Sequence, residues 1–137
     1  MNITVNYLAV VVAAAVSFVL GMIWHGPLFG KAWAASRGIT PEQMATGKKG
    51  MARQALAIFI CLLVVAWALA VIANYVHLVT VMQGIKLGVV CWIGFSVTTS
   101  LVDYIMTTGR KSAALYIDVG SWLITFVVSG IIVSYWH

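Results

Sequence analysis

The sequence predicts an all-α membrane protein. Four transmembrane helices form an antiparallel up-down bundle, with a short cytoplasmic or interfacial helical segment between helices one and two. Three observations carry this expectation. Residues 3–24, 54–76, 82–105 and 113–136 are long apolar runs, and about 20 helical residues suffice to cross a hydrocarbon core of about 30 Å. The 137-residue chain is 63% hydrophobic and only 8% charged, with a mean hydropathy of +1.04. A soluble domain of this size cannot hide that much apolar surface. The cations, finally, are lopsided. Lys31, Arg37, Lys48, Lys49 and Arg53 lie between runs one and two, and Arg110 and Lys111 between runs three and four; Lys86 alone falls on the other side. Basic loops stay in the cytoplasm, so both termini are expected outside. The spans and their loops account for residues 1–137 as a single domain.

Each element follows from local signals. The first run has no basic n-region and no small-residue cleavage site, and reads as a retained helix. Trp24-His25-Gly26-Pro27 is expected to stop it, because glycine and proline end helices. Residues 27–33 then lie along the membrane surface, with aromatics toward the acyl boundary and Lys31 toward the headgroups. Thr40, Pro41 and Gln43 form the pattern of a capped helix start. That short helix is expected to end near Gly47. The second run leaves the membrane near residues 74–77, and a short connection makes it a neighbour of the third. The third ends near Asp103 and Tyr104, and a turn over residues 107–112 returns the chain. Tyr7, Tyr75, Tyr135 and Trp136 form an outer aromatic belt; Trp24, Trp33, Tyr104 and Tyr116 form an inner one. No internal repeat is visible, so a transporter built from inverted repeats within one chain is not supported.

Several function classes drop out. The net charge of +5 sits beside the spans, where anionic lipid is its partner and nucleic acid is not. Cys61 and Cys91 lie in different spans, on the order of 10 Å apart in depth, too far for a disulfide. They are too few and too dispersed for a zinc or iron–sulfur centre. No activated nucleophile, phosphate-cradling loop or haem ligand pair is present. The expectation is therefore no enzyme, no metal and no cofactor.

Two kinds of stripe mark helix faces. Ala9, Ala13, Ser17 and Gly21 are spaced by four, with Asn6 and His25 extending the line; Gly84 and Gly88 form a second small pair. Small residues let membrane helices approach closely, within one chain or between copies of a homo-oligomer. Asp118, Ser121, Thr125 and Ser129 line one side of the fourth run, and Ser96, Ser100, Asp103 and Thr107 one side of the third. Facing each other, these stripes would zip the two helices together or line a narrow hydrated path. Hydroxyls can also return to carbonyls of their own helix. Trp67, Trp92 and Trp122 fall near mid-membrane, where each indole N–H needs an acceptor.

His25, Asp103 and Asp118 should share one depth near the cytoplasmic leaflet, with Arg53, Arg110 and Lys111 near enough to pair with them. Apart from Glu42, these two aspartates are the chain's acids. An ionisable group in a membrane is a candidate functional site. The cluster reads first as a salt-bridge network that fixes helix ends, then as a proton or cation site, and last as a metal site of one histidine and two carboxylates or a site of acid–base catalysis.

The tract from Trp24 to Trp33, WHGPLFGKAW, is similar to the signature of a bacterial family of small four-helix membrane proteins of unknown function. Asp118, Gly120, Trp122 and Gly130 resemble that family's C-terminal pattern. The resemblance covers nearly the whole chain and implies a bacterial inner-membrane protein with a topology but no assigned activity. The expected function is a non-enzymatic accessory or structural membrane protein, in a homo-oligomer or larger membrane complex. The alternative is a small proton- or cation-coupled transporter or channel that binds its ion at Asp103 and Asp118.

Overall fold

A computed structural model describes residues 3–46, 50–107, 109 and 111–136, the side chains of residues 44–46 excepted. Gly47, Lys48, Lys49, Thr108 and Arg110 lie outside the described residues, and with them the expected end of the short cytoplasmic helix and part of both basic loops. Every regular element among the described residues is helical. The helices are α1 (Tyr7–Ile23), α2 (Gly30–Ser36), α3 (Pro41–Thr46), α4 (Met51–Tyr75), α5 (Val81–Cys91), α6 (Thr98–Met106) and α7 (Ser112–Tyr135). Two π-helical turns, Trp24–Leu28 and Trp92–Val97, prolong α1 and join α5 to α6. Four continuous stretches are long and apolar enough to cross a membrane: Tyr7–Leu28, Met51–Tyr75, Val81–Met106 and Ser112–Tyr135.

The ends are set by side chains. Asn6 accepts from the backbone N–H groups of Leu8 and Ala9 at 3.1 and 3.2 Å, so it caps α1 rather than extending its small stripe. Thr40 and Gln43 exchange the two bonds of a capping box at 3.0 and 3.2 Å. Thr80 and Gln83 make the same box at the start of α5. At the far end of α2, Gly38 takes φ +71°. The N–H of Ile39 reaches Ala34 O and that of Gly38 reaches Ala35 O, at 2.9 and 3.2 Å, which is a Schellman closure. The end of α4 repeats it with His77 at φ 53°, where the left-handed backbone favours glycine.

The first span does not stop at Trp24 as glycine and proline suggest. It widens instead: the N–H of Phe29 bonds Trp24 O at 3.0 Å, five residues back. A π turn makes room for the ring of Pro27, which has no N–H to continue the i−4 ladder.

Helix α7 is the centre of the bundle, in contact with α1, α2, α4, α5 and α6. Its partners approach through small residues. Ala9, Ala13 and Ser17 of α1 are buried, and the core joins Val10 and Ala13 to Ala66, Ala70 and Ala73 of α4 and to Cys91 and Val133. Gly84 and Gly88 bring α5 onto α7. A Cβ at Gly88 would lie 2.5 Å from Phe126 O, and one at Gly84 would run into the carbonyl oxygen of Gly130. Gly21, the fourth member of the α1 stripe, is half-buried with nothing within 4 Å of its Cβ position.

The expected zipper of hydroxyls between the third and fourth spans is replaced by this glycine contact. Ser129 pairs with Ser17 of α1 at 3.2 Å. Thr125 returns its hydroxyl to Ser121 O at 3.2 Å, while Thr98 and Thr99 donate to carbonyls of their own helix. Ser96 is buried and Ser100 half-buried. Cys61 and Cys91 are both free thiols.

Candidate functional site

Three tryptophans converge on three consecutive residues of α7. Trp24 Nε1 donates to Ile117 O at 2.9 Å, Trp33 Nε1 to Asp118 Oδ1 at 3.0 Å, and Trp92 Nε1 to Val119 O at 2.9 Å. Trp24 and Trp92 each begin one of the two π turns. A helical carbonyl keeps a second lone pair after its own i+4 bond, so Ile117 O and Val119 O can take an indole without unwinding α7.

Local sequence explains how each indole arrives. Gly120 leaves space for the Trp24 ring; a Cβ there would sit 2.8 Å from Cζ2. Phe29 flanks the same ring, with centroids 4.5 Å apart. After the first π turn the chain reverses onto α7. Gly30 permits that reversal, since a Cβ at this position would lie 2.6 Å from His25 O. The short helix α2 then packs on α7. Trp33 and Arg37, one helical turn apart, both reach Asp118.

The carboxylate of Asp118 is enclosed. Arg37 Nη2 donates to Oδ2 at 2.5 Å, and the guanidinium also lies over the Trp33 ring, 5.0 Å from its centroid. His25 Nε2 stands 3.6 Å from Oδ1, and its ring meets Trp33 edge to face at 5.6 Å. His25 Nδ1 is 3.2 Å from Gly21 O. A carbonyl only accepts, so Nδ1 carries the hydrogen of that bond. Nε2 can therefore donate toward Asp118 only when the imidazole is doubly protonated. The side chains of Asp118, Arg37 and His25 keep 23%, 33% and 34% of their accessible surface. That partial exposure leaves a water-screened ion pair, weaker than one sealed in hydrocarbon.

Not every expected member of the cluster is here. Asp103 is exposed on α6 and is not among the groups on the Asp118 carboxylate. Ser96, within the π turn, is buried, whereas along α6 Ser100 is half-buried and Asp103, three residues on, is exposed. Arg53 and Lys111 are exposed, and the basic partner of Asp118 is Arg37. Trp24 and Trp33, expected in the inner belt, are half-buried, and each indole N–H bonds an acceptor on α7. Tyr7, Tyr75, Tyr116 and Tyr135 are exposed. Among the described residues, no three His, Cys, Asp or Glu side chains come together as metal ligands would.

Trp33 and Arg37 were the signal that hydropathy hides. Spaced by four, they share one face of a short helix, and a face bearing both a cation and an indole donor suits an acid. As an arrangement the site can neutralise one carboxylate, tie the surface helix α2 to the central span, and couple a proton on His25 to that tie.

No curated protein and no solved structure matches the chain at a significant level. One family profile does, over residues 8–134, described as a protein of unknown function, DUF1761. That match takes in all four apolar spans, the WHGPLFGKAW tract and Asp118, and the chain belongs to this family.

Proposed function

We propose that the protein is a non-enzymatic accessory or structural subunit of a bacterial plasma membrane, with both termini outside. It acts in a homo-oligomer or a larger membrane assembly. The observation that carries this reading is the state of Asp118. Trp33 bonds one oxygen of Asp118 and Arg37 the other, an arrangement that fixes helices rather than awaits a cation. The third span, Val81–Met106, is the least covered by its own chain, with 17% of its apolar window buried against 22–33% for the others. It is the face we assign to a partner within the bilayer.

A second reading rests on His25. Its Nε2 faces a carboxylate that it can serve only when protonated, the geometry of a proton-coupled switch in a small transporter or channel. Liposomes loaded with a pH-sensitive dye separate the two. The structural reading expects proton leakage no faster than in protein-free vesicles, and a lowered melting temperature in Asp118→Asn with no other defect. A proton flux that Asp118→Asn abolishes while the protein stays folded would replace it with the transport reading. Orientation is tested separately: a reporter fused after His137 is expected outside, and cytoplasmic activity there would reverse the topology.

A further inference from the structure

The basic loops contain a feature that the Asp118 clamp does not use. A cleft of about 540 Å³ opens between the α2–α3 connection and the α6–α7 turn. Ser36, Arg37 and Gly38 form one wall, and Thr107, Gly109 and Lys111 the other. Its described lining carries two cations and no acid. Arg37 spends Nη2 on Asp118, which leaves the Nη1 and Nε donors of the guanidinium for a second acceptor. Lys111 stands at the N-terminus of α7, where no side chain caps the helix. That end adds free N–H groups and a positive dipole to the same mouth. The first span ends at Leu28 and the fourth begins at Ser112. The cleft therefore lies just beyond the span ends, at the depth of lipid headgroups.

We propose that this cleft binds a phosphate-bearing anion, clamped between Arg37 and Lys111. Phosphate suits the donor set: a guanidinium edge and an ammonium together can satisfy its oxygens. Its depth makes the headgroup of an anionic phospholipid one source and soluble phosphate another. The proposal rests on the Asp118 pair for the placement of Arg37, while Lys111, the residue its test changes, takes no part in that pair.

Native mass spectrometry of the purified protein in neutral detergent, titrated with short-chain phosphatidylglycerol, tests it. Saturable binding is expected, about tenfold weaker in Lys111→Gln, the loss of one charge-assisted contact. Lys31→Gln removes the same charge from the same membrane face outside the cleft, and is expected to bind as the wild type does. Inorganic phosphate added as competitor identifies the source. Displacement of the lipid means the cleft takes free phosphate as well, and retention of the lipid means that it recognises the headgroup. Absence of saturable binding, or equal weakening in Lys111→Gln and Lys31→Gln, would overturn the proposal and leave only a diffuse basic surface.

Discussion

Gly84 of α5 and Gly130 of α7 meet backbone to backbone, and neither has room for a methyl group. A Cβ on either would strike the other's carbonyl oxygen, and one on Gly84 would also lie 2.7 Å from Ser134 Oγ. In lipid, where apolar surface gives no net drive to associate, such close contact is what holds two spans together. Gly130→Ala should therefore force the helices apart and cost about 1–3 kcal/mol. Gly21→Ala is the control. Nothing lies within 4 Å of its Cβ position, and alanine favours a helix over glycine by up to about 1 kcal/mol. Thermal unfolding in one detergent should show Gly130→Ala lowered and Gly21→Ala unchanged or raised.

Trp24 depends on Gly120 in the same way. Gly120→Ala should push the indole off α7 and break its bond to Ile117 O, at a cost of about 1–3 kcal/mol. Trp92→Phe keeps most of the ring and deletes only the bond to Val119 O, so it should cost less, about 1 kcal/mol. Equal unfolding midpoints for wild type and Gly120→Ala would show that the Trp24 seat is not close-packed.

His77 closes α4 where Gly38 closes α2, with the same pair of backbone bonds and the same sign of φ. A side chain with a Cβ is strained there and glycine is not. His77→Gly should raise stability by about 0.5–1 kcal/mol, after allowing for the greater freedom of glycine in the unfolded chain. A clear loss of stability would assign the imidazole a contact that outweighs the backbone strain.

Ser17 and Ser129 form a buried hydroxyl pair between α1 and α7. Each alanine variant should cost on the order of 1 kcal/mol. Their coupling in a double-mutant cycle should be about 0.6 kcal/mol, as membrane hydrogen bonds generally measure. Purely additive effects would mean that the two hydroxyls do not depend on each other.

Much of this was legible in the residues. Runs of about twenty apolar side chains mark spans because the bilayer demands that length. Thr40 and Gln43 announce a capped helix because the box needs only local chemistry. Depth placed His25 and Asp118 at one level, and their side chains lie 3.6 Å apart. Azimuth was not legible. Hydropathy reports how deep a residue sits and not which way it faces, so Trp33 reads as an interface anchor and Arg37 as one cation of a basic loop, while both turn toward Asp118. The π turns were invisible as well, since no residue pattern marks an extra residue in a turn. Asp103 shares a stripe with Ser96 and Ser100 in the sequence and is exposed in the structure, another orientation that depth does not report.

The pairing of Arg37 with Asp118 is the centre of the structural reading, and a double-mutant cycle measures it directly. Arg37→Gln, Asp118→Asn and the double variant are unfolded alongside wild type under one set of conditions. Each single change should cost about 1 kcal/mol, because it leaves a partly exposed, water-screened charge without its partner. The double variant should cost clearly less than their sum, with a coupling of about 0.5–1 kcal/mol. Additive losses, or no loss in Asp118→Asn, would contradict a clamp and show that the carboxylate is not there to hold α2 against α7.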